Sequence, residues 1–177
     1  MSKARIATVW LDGCSGCHMS ILDMDERLIE LADRIELVYS PLVDAKDYPD
    51  NVDVVLVEGA VSTEDDLEKI QTVRRRTRIL VSLGDCAVTA NVPSLRNRFP
   101  VEAVEHRAYI ENADRNHQVP RDVVPRLLPN SRPVHEFVRV DVFVPGCPPS
   151  ADTIYFVLTE LLAGRMPDLS DKTRFGA

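Results

Sequence analysis

Five short apolar segments rich in β-branched residues alternate with stretches that suit helices. The apolar segments are residues 5–11, 35–39, 52–57, 78–83 and 139–144. Near-continuous apolar runs of this length are typical of parallel strands buried on both faces of a sheet. Helices are predicted for residues 21–32 from an apolar stripe, for 63–76 from an acidic first turn, and for 151–162 behind Ser150 as an N-cap. This alternation predicts an α/β domain with a parallel sheet.

Residues 91–137 interrupt the alternation. They hold six prolines and many charged residues, and proline is poorly tolerated inside helices and central strands. We therefore expect a long Pro-rich excursion with short helices on the surface of a single domain that spans residues 1–177. Residues 165–177 are expected to form a tail that needs a partner to be ordered.

Composition narrows the function classes. The chain has 177 residues, with 21 Lys and Arg against 28 Asp and Glu, which gives a net charge of −7. An acidic chain argues against nucleic acid as a partner. The longest apolar run is far shorter than the roughly 20 residues that span a bilayer, so we expect no membrane insertion. The first apolar segment leads into Asp12 and Gly13 instead of a cleavage site, so we expect a cytoplasmic protein.

The four cysteines each follow a predicted strand. Cys14 and Cys17 follow the segment 5–11, Cys86 follows 78–83, and Cys147 follows 139–144. All strands of a parallel sheet end at the same edge, where ligand sites form. A reducing compartment disfavours disulfides. We therefore expect the four thiols to converge on one metal or redox site.

Three interpretations of this site stay open at the level of the residues. Structural zinc usually takes two closely spaced cysteine pairs, whereas this chain has one CxxC and two distant cysteines. A thioredoxin-like dithiol would use Cys14 and Cys17 alone. An iron–sulfur cluster accepts scattered ligands and suits the Cys147–Pro148 step. Glycines beside each cysteine, which allow close backbone approach, favour the cluster; they are Gly13, Gly16, Gly84 and Gly146.

Four ordered motifs carry a family resemblance: WLDGCSGCHMS at residues 10–20, VEGAV at 57–61, GDCAVT at 84–89 and PGCPPS at 145–150. Together they resemble the small subunit of nickel–iron hydrogenases, in the short form found in NAD-reducing (bidirectional) enzymes. The related small subunit of respiratory complex I has adjacent cysteines in the first motif, whereas Ser15 and Gly16 separate them here. This spacing favours the hydrogenase branch.

The resemblance implies a flavodoxin-like, doubly wound domain with one proximal 4Fe–4S cluster. Its ligands would be Cys14, Cys17, Cys86 and Cys147. Longer relatives carry further cysteines for two more clusters, whereas this chain has none after Cys147, so a single cluster is expected. The implied partners are a large subunit with the nickel–iron centre and diaphorase subunits with clusters, FMN and a NAD site.

The implied function is electron transfer between the H₂-oxidising site of the large subunit and the diaphorase, and the chain alone is not expected to be catalytic. The alternatives are a cluster-bearing subunit of another hydrogenase or complex I-like oxidoreductase with a different acceptor, and a zinc-stabilised interaction domain. Glu58 is expected to be either a proton-path or interface carboxylate, or a solvated or salt-bridged one. His18 is expected beside the site and not as a ligand. FMN is disfavoured in this chain, because cysteines take the loops at the strand ends.

Overall fold

The structure is a computed structural model that describes residues 3–173 and Phe175. Its seven strands are β1 (Ala4–Trp10), β2 (Ile35–Tyr39), β3 (Val52–Glu58), β4 (Val61–Thr63), β5 (Thr77–Leu83), β6 (Leu127–Arg132) and β7 (Val142–Val144). Its six α-helices are α1 (Gly16–Leu22), α2 (Arg27–Ala32), α3 (Glu64–Arg76), α4 (Asp85–Thr89), α5 (Val101–His106) and α6 (Ala151–Leu162). This count covers the described residues alone.

Five of the strands form one parallel sheet in the order β2-β1-β3-β5-β7. The chain order reverses between β1 and β3, which is the switch point of a flavodoxin-like doubly wound sheet. The predicted fold class is therefore confirmed. All five predicted strands are present, although the last begins at Val142, three residues later than predicted.

Apolar side chains cover both faces of this sheet. One core packs α1, α2 and α6 against the sheet and includes Leu31, Ile154 and Leu158. The other packs α3 against the opposite face and includes Ile70 and Val73. Burial on both faces explains why the strands read as continuous apolar runs.

The prediction of one helix over residues 21–32 is wrong. The chain forms α1 and α2, separated by a turn in which Asp25 has a φ of 49°. An aspartate tolerates this left-handed conformation better than most residues, and the turn lets Met24 reach the core. The helix over 64–76 is confirmed, with Thr63 as the N-cap and a reciprocal contact from Asp66. Ser150 caps α6 by accepting from the N–H of Thr153.

The Pro-rich excursion contains the expected short helices, including α5 and a 3₁₀ turn at Pro93–Arg98. It also contributes β6, which pairs antiparallel with β4. The described part of the tail packs on α6, where the hydroxyl of Thr153 donates to the carbonyl of Lys172. Arg174, Gly176 and Ala177 lie outside the described residues. Between residues 3 and 173, no helix is long and apolar enough to cross a membrane.

Candidate metal centre at the carboxyl edge of the sheet

The four cysteines lie in the loops and helix starts at the carboxyl ends of β1, β5 and β7. Cys17 is buried, Cys86 is half-buried, and Cys14 and Cys147 are exposed. None of them forms a disulfide. The site therefore has one sulfur deep in the fold and two at its mouth.

Two loops cross closely to place Cys14. The backbone of Asp12 exchanges two hydrogen bonds with Ala60, at 2.8 and 3.0 Å, and so ties the loop after β1 to the loop after β3. Gly59 has a φ of 92°, and a Cβ there would lie 2.7 Å from the carbonyl carbon of Leu11. This crossing requires glycine, because any side chain would push the loops apart.

Glu58, the last residue of β3, holds the start of α1. It is 2% exposed, so the solvated alternative is wrong. Its carboxylate accepts from the N–H groups of His18 at 2.9 Å and Cys17 at 3.4 Å. Helix α1 receives no side-chain cap from its own N-cap residue, Ser15. Glu58 therefore satisfies helix donors that would otherwise be unpaired.

His18 continues a buried polar chain away from the cysteines. Its Nδ1 contacts the Glu58 carboxylate, and its Nε2 lies 3.0 Å from the hydroxyl of Thr8. Thr8 in turn donates to the hydroxyl of Ser40 at 2.8 Å. All four side chains are buried. His18 thus follows Cys17 directly and orients the Glu58 carboxylate through its ring.

The loops that carry Cys86 and Cys147 are joined to each other. The N–H of Gly84 donates to Val144 at 2.8 Å, and the N–H of Asp85 donates to Gly146 at 2.9 Å. The side chain of Asp85 accepts from the N–H of Gly146 at 2.7 Å. These contacts fix the relative positions of two loops that are about sixty residues apart in sequence.

Gly84 also makes room for the buried sulfur. It has a φ of 81°, and a Cβ there would lie 2.3 Å from Sγ of Cys17. The loop after β5 therefore reaches Sγ of Cys17, which follows β1. Strand β3 lies between β1 and β5 in the sheet. Gly84 therefore brings the loop after β5 against the sulfur of Cys17 and close to the carbonyl of Gly146.

The thiols influence one another electrostatically. Burial, the Glu58 carboxylate and the other three cysteines all raise the pKa of Cys17. Burial raises the pKa of Cys86 to about 11, partly opposed by an N–H from Val92. Without a metal, Cys17 and Cys86 would be protonated at neutral pH. A bound cation would favour the thiolate form at these positions.

N–H donors face three of the sulfurs. The backbone of Gly16 donates to Cys14 at 3.4 Å, and the backbone of Val92 donates to Cys86. Nδ2 of Asn91 donates to Cys147 at 3.8 Å. Sequence reasoning assigned Asn91 no role, although its place five residues after Cys86 was a usable signal.

The segments that carry the cysteines expose large apolar side chains. Trp10 precedes the first loop and is 45% exposed, Met19 on α1 is 55% exposed, and Val92 and Leu95 after α4 are 59% and 58% exposed. An apolar rim around a polar site is typical of a protein interface.

The structure brings together every predicted ligand at one edge of the sheet, together with Glu58 and His18. Within residues 3–173, no three His, Cys, Asp or Glu side chains surround a single-ion position.

Comparisons with known proteins bear on the same residues. The family model described as NADH ubiquinone oxidoreductase, 20 Kd subunit, matches residues 14–161, a range that includes all four cysteines. The delta subunit of the NAD-reducing hydrogenase HoxS of Cupriavidus necator is 40% identical over 172 residues, which cover 94% of this chain and 82% of that protein. The resemblance predicted from four motifs is confirmed.

A second relative and one solved structure show how much of each chain the match covers. A subunit of the F420-non-reducing hydrogenase vhu of Methanocaldococcus jannaschii is 34% identical over 95% of this chain, but the match spans only 59% of that protein. A crystal structure of an NAD⁺-reducing [NiFe]-hydrogenase in the H₂-reduced state contains a chain with 40% identity and a TM-score of 0.93. That alignment covers 98% of this chain and 99% of the other.

Proposed function

Because this chain belongs to the NADH ubiquinone oxidoreductase 20 Kd subunit family and is a hydrogenase-type oxidoreductase subunit within it, we propose that it transfers electrons through one 4Fe–4S cluster. The electrons pass between the nickel–iron site of a large subunit and a diaphorase module. The chain itself carries out no bond chemistry on H₂ or NAD.

One observation carries this proposal: the four thiols lie in three separate loops at the carboxyl edge of the sheet, near enough for the other three to raise the pKa of Cys17. We assign Cys14, Cys17, Cys86 and Cys147 as the ligands. Burial and neighbouring negative charge disfavour a thiolate at Cys17, and a bound cation would stabilise it. Four cysteine ligands, with N–H donors facing three of the sulfurs, suit a 4Fe–4S cluster.

The cluster would supply a one-electron carrier, and the surrounding residues would hold it in place. Gly84 and Gly59 let the loops approach it closely. Glu58 and His18 fix the start of α1 and therefore the position of Cys17. We propose Glu58 as a positioning residue, which is a narrower role than a proton path.

The exposed apolar rim supports a large subunit as the partner at this edge. Cys14 and Cys147 reach the surface there, beside Trp10 and Val92. Electron tunnelling weakens steeply with distance, so a site near the surface and under a partner is well placed for transfer. FMN, NAD and the nickel–iron centre are assigned to partner subunits, and the complex is assigned to the cytoplasm.

The test replaces Cys86 with Ala in the assembled complex. We expect iron and acid-labile sulfide to fall, the electron paramagnetic resonance signal of the cluster to disappear, and H₂-driven NAD reduction to fall at least a hundredfold. H₂/D₂ exchange should persist, because that reaction belongs to the large subunit. The control is Thr89→Ala on the same short helix, which removes a hydroxyl bonded to the carbonyl of Asp85 but no ligand.

Unchanged NAD reduction in a Cys86→Ala complex that lacks the cluster signal would refute the electron-transfer role. Zinc without sulfide in the purified complex would favour the interaction domain instead. H₂-driven reduction of a viologen dye but not of NAD would assign the chain to a hydrogenase with another acceptor, such as the relatives named F420-non-reducing hydrogenases.

A further inference from the structure

The segment between α4 and the 3₁₀ turn bends back over the cysteines. Ala90 ends α4 with a φ of 61°, and its N–H donates to the carbonyl of Cys86 at 3.0 Å. An alanine in this left-handed conformation is strained by about 1–2 kcal/mol. Such strain persists only where surrounding contacts impose it, often at functional sites.

Two contacts from Ser94 hold the bend. Its hydroxyl donates to the carbonyl of Asn91 at 2.7 Å, and its N–H donates to the carbonyl of Ala90 at 2.9 Å. Ala90 itself is 1% exposed. The bend therefore has a fixed shape, and residues 90–92, which we call the hook, present their donors in a fixed direction.

Donors of the hook reach two cysteines that follow different strands, Cys86 after β5 and Cys147 after β7. The backbone of Val92 donates to Cys86, and Nδ2 of Asn91 lies 3.8 Å from Sγ of Cys147, at the long end of the range for a sulfur acceptor. Of these two contacts, only the Asn91 contact is made by a side chain. It can therefore be removed without rebuilding the loop.

A hydrogen bond to a ligand sulfur stabilises negative charge on that sulfur. A cluster gains one negative charge on reduction, so each N–H donor favours the reduced form and raises the reduction potential. Cys147 is exposed, and Nδ2 of Asn91 is the side-chain donor to this sulfur.

We propose that Asn91 sets the reduction potential of the centre by donating to Cys147, as a positioning residue that acts through the ligand. This inference rests on the proposed function, because it presupposes a redox centre at the four cysteines. It extends that function by naming a residue that controls the driving force for electron transfer and binds no metal itself.

The test is a potentiometric titration of the intact complex, followed by electron paramagnetic resonance. Asn91→Asp replaces the donor with an acceptor of the same shape, and we expect the equilibrium constant for cluster reduction to fall at least tenfold, a shift of about 59 mV to lower potential. Asn91→Leu should shift the midpoint in the same direction by less. Asn91→Gln keeps the amide and should restore most of the original potential.

The matched control is Asn51→Asp, which adds the same charge at the amino end of β3. The strand separates Asn51 from the cysteine edge by about 20 Å, well beyond the screening length of about 8 Å, so its midpoint should not move. Midpoints of the Asn91 variants equal to that of the unmodified complex would overturn the inference while leaving the proposed function intact. An unmodified complex without an iron–sulfur signal would overturn both.

Discussion

At the carboxyl edge of the sheet, the loops are tied together mainly by backbone hydrogen bonds, whereas at the amino edge the ties run through charged side chains. The carboxyl edge uses Asp12 with Ala60 and Gly84 with Val144. The amino edge uses Arg74 with Asp141 at 2.6 Å, and Arg76 with Asp50 at 2.9 Å. The two edges are therefore held together by different chemical groups.

At the amino edge, Arg74 and Asp141 pair with each other and with nearby backbone groups. Arg74 also donates to the carbonyls of Thr77 and Arg78, and the Asp141 carboxylate accepts from the N–H of Leu80 at 2.8 Å. Its charged groups therefore contribute to stability without a ligand. At the carboxyl edge, backbone hydrogen bonds and the carboxylates of Glu58 and Asp85 hold the loops, which leaves the sulfur atoms available for a bound group.

Substitutions at the carboxyl edge should therefore impair the metal centre, and those at the amino edge should impair stability alone. Gly84→Ala should have the largest effect. A Cβ at Gly84 would lie 2.3 Å from Sγ of Cys17 and would adopt a strained φ. We expect bound iron to fall below a tenth of the unmodified level, with a loss of roughly 2–4 kcal/mol of stability from strain and overpacking.

The control for this substitution is Gly164→Ala. Gly164 also has a positive φ, of 75°, but no atom lies within 4 Å of a Cβ built there. The Gly164→Ala substitution should cost only about 1–2 kcal/mol of backbone strain and leave iron and sulfide content unchanged. Equal iron loss in the two variants would show that strain, and not the contact with Cys17, disrupts the centre.

Glu58→Gln should have the next largest effect. The N–H groups of Cys17 and His18 use different oxygens of the carboxylate, and the His18 ring shares the second oxygen. An amide would place an NH₂ group against one of these donors, which leaves a buried contact unmade. We expect iron retention during dialysis against a chelator to weaken by about tenfold.

Glu68→Gln on α3 removes the same charge from an exposed residue and should leave iron retention unchanged. Because Glu58 is buried and accepts from the N–H of Cys17, the Glu58→Gln substitution should lower both iron retention and H₂-driven turnover. Full iron retention and full turnover in Glu58→Gln would remove the carboxylate from the site.

The carboxyl edge was also the more predictable of the two from sequence. The apolar runs locate the strands, and the strand ends locate Cys14, Cys86 and Cys147 on one edge, because parallel strands all point the same way. Glu58 was located by the same argument. Its pairing with His18 could not be predicted, since the contact depends on how α1 docks across β3.

The parts that sequence missed depend on tertiary contacts. The break between α1 and α2 follows from Asp25 in a left-handed turn, which the apolar stripe over residues 21–32 conceals. Strand β6 contains Pro129 and pairs with only three residues of β4, so neither strand has a recognisable pattern. The hook at Ala90 was hidden because alanine rarely adopts a positive φ.

Asp141→Asn should have the smallest effect. It should weaken the ion pair with Arg74 at the amino edge and leave the metal centre unchanged. Burial alone would raise the pKa of Asp141, but the N–H of Leu80 and the guanidinium of Arg74 outweigh it, so this pKa lies below its usual value. The carboxylate is 16% exposed and its Arg74 partner 20% exposed. We expect the variant to lose about 1–2 kcal/mol at pH 7, with iron content unchanged.

The pH dependence of this loss distinguishes a charge effect from a packing effect. Because the folded pKa of Asp141 is depressed, its contribution is fully present above the unfolded pKa of about 3.9 and is lost as the pH falls through the folded pKa. The urea midpoints of the variant and the unmodified complex should therefore converge in acid.

The control is Asp152→Asn, which removes an exposed carboxylate that pairs with Arg27 at 2.5 Å. This variant should change neither the urea midpoint nor the iron content, because exposed ion pairs contribute little. A stability difference for Asp141→Asn that stayed constant down to pH 3 would instead show that packing, and not charge, accounts for the contribution of Asp141.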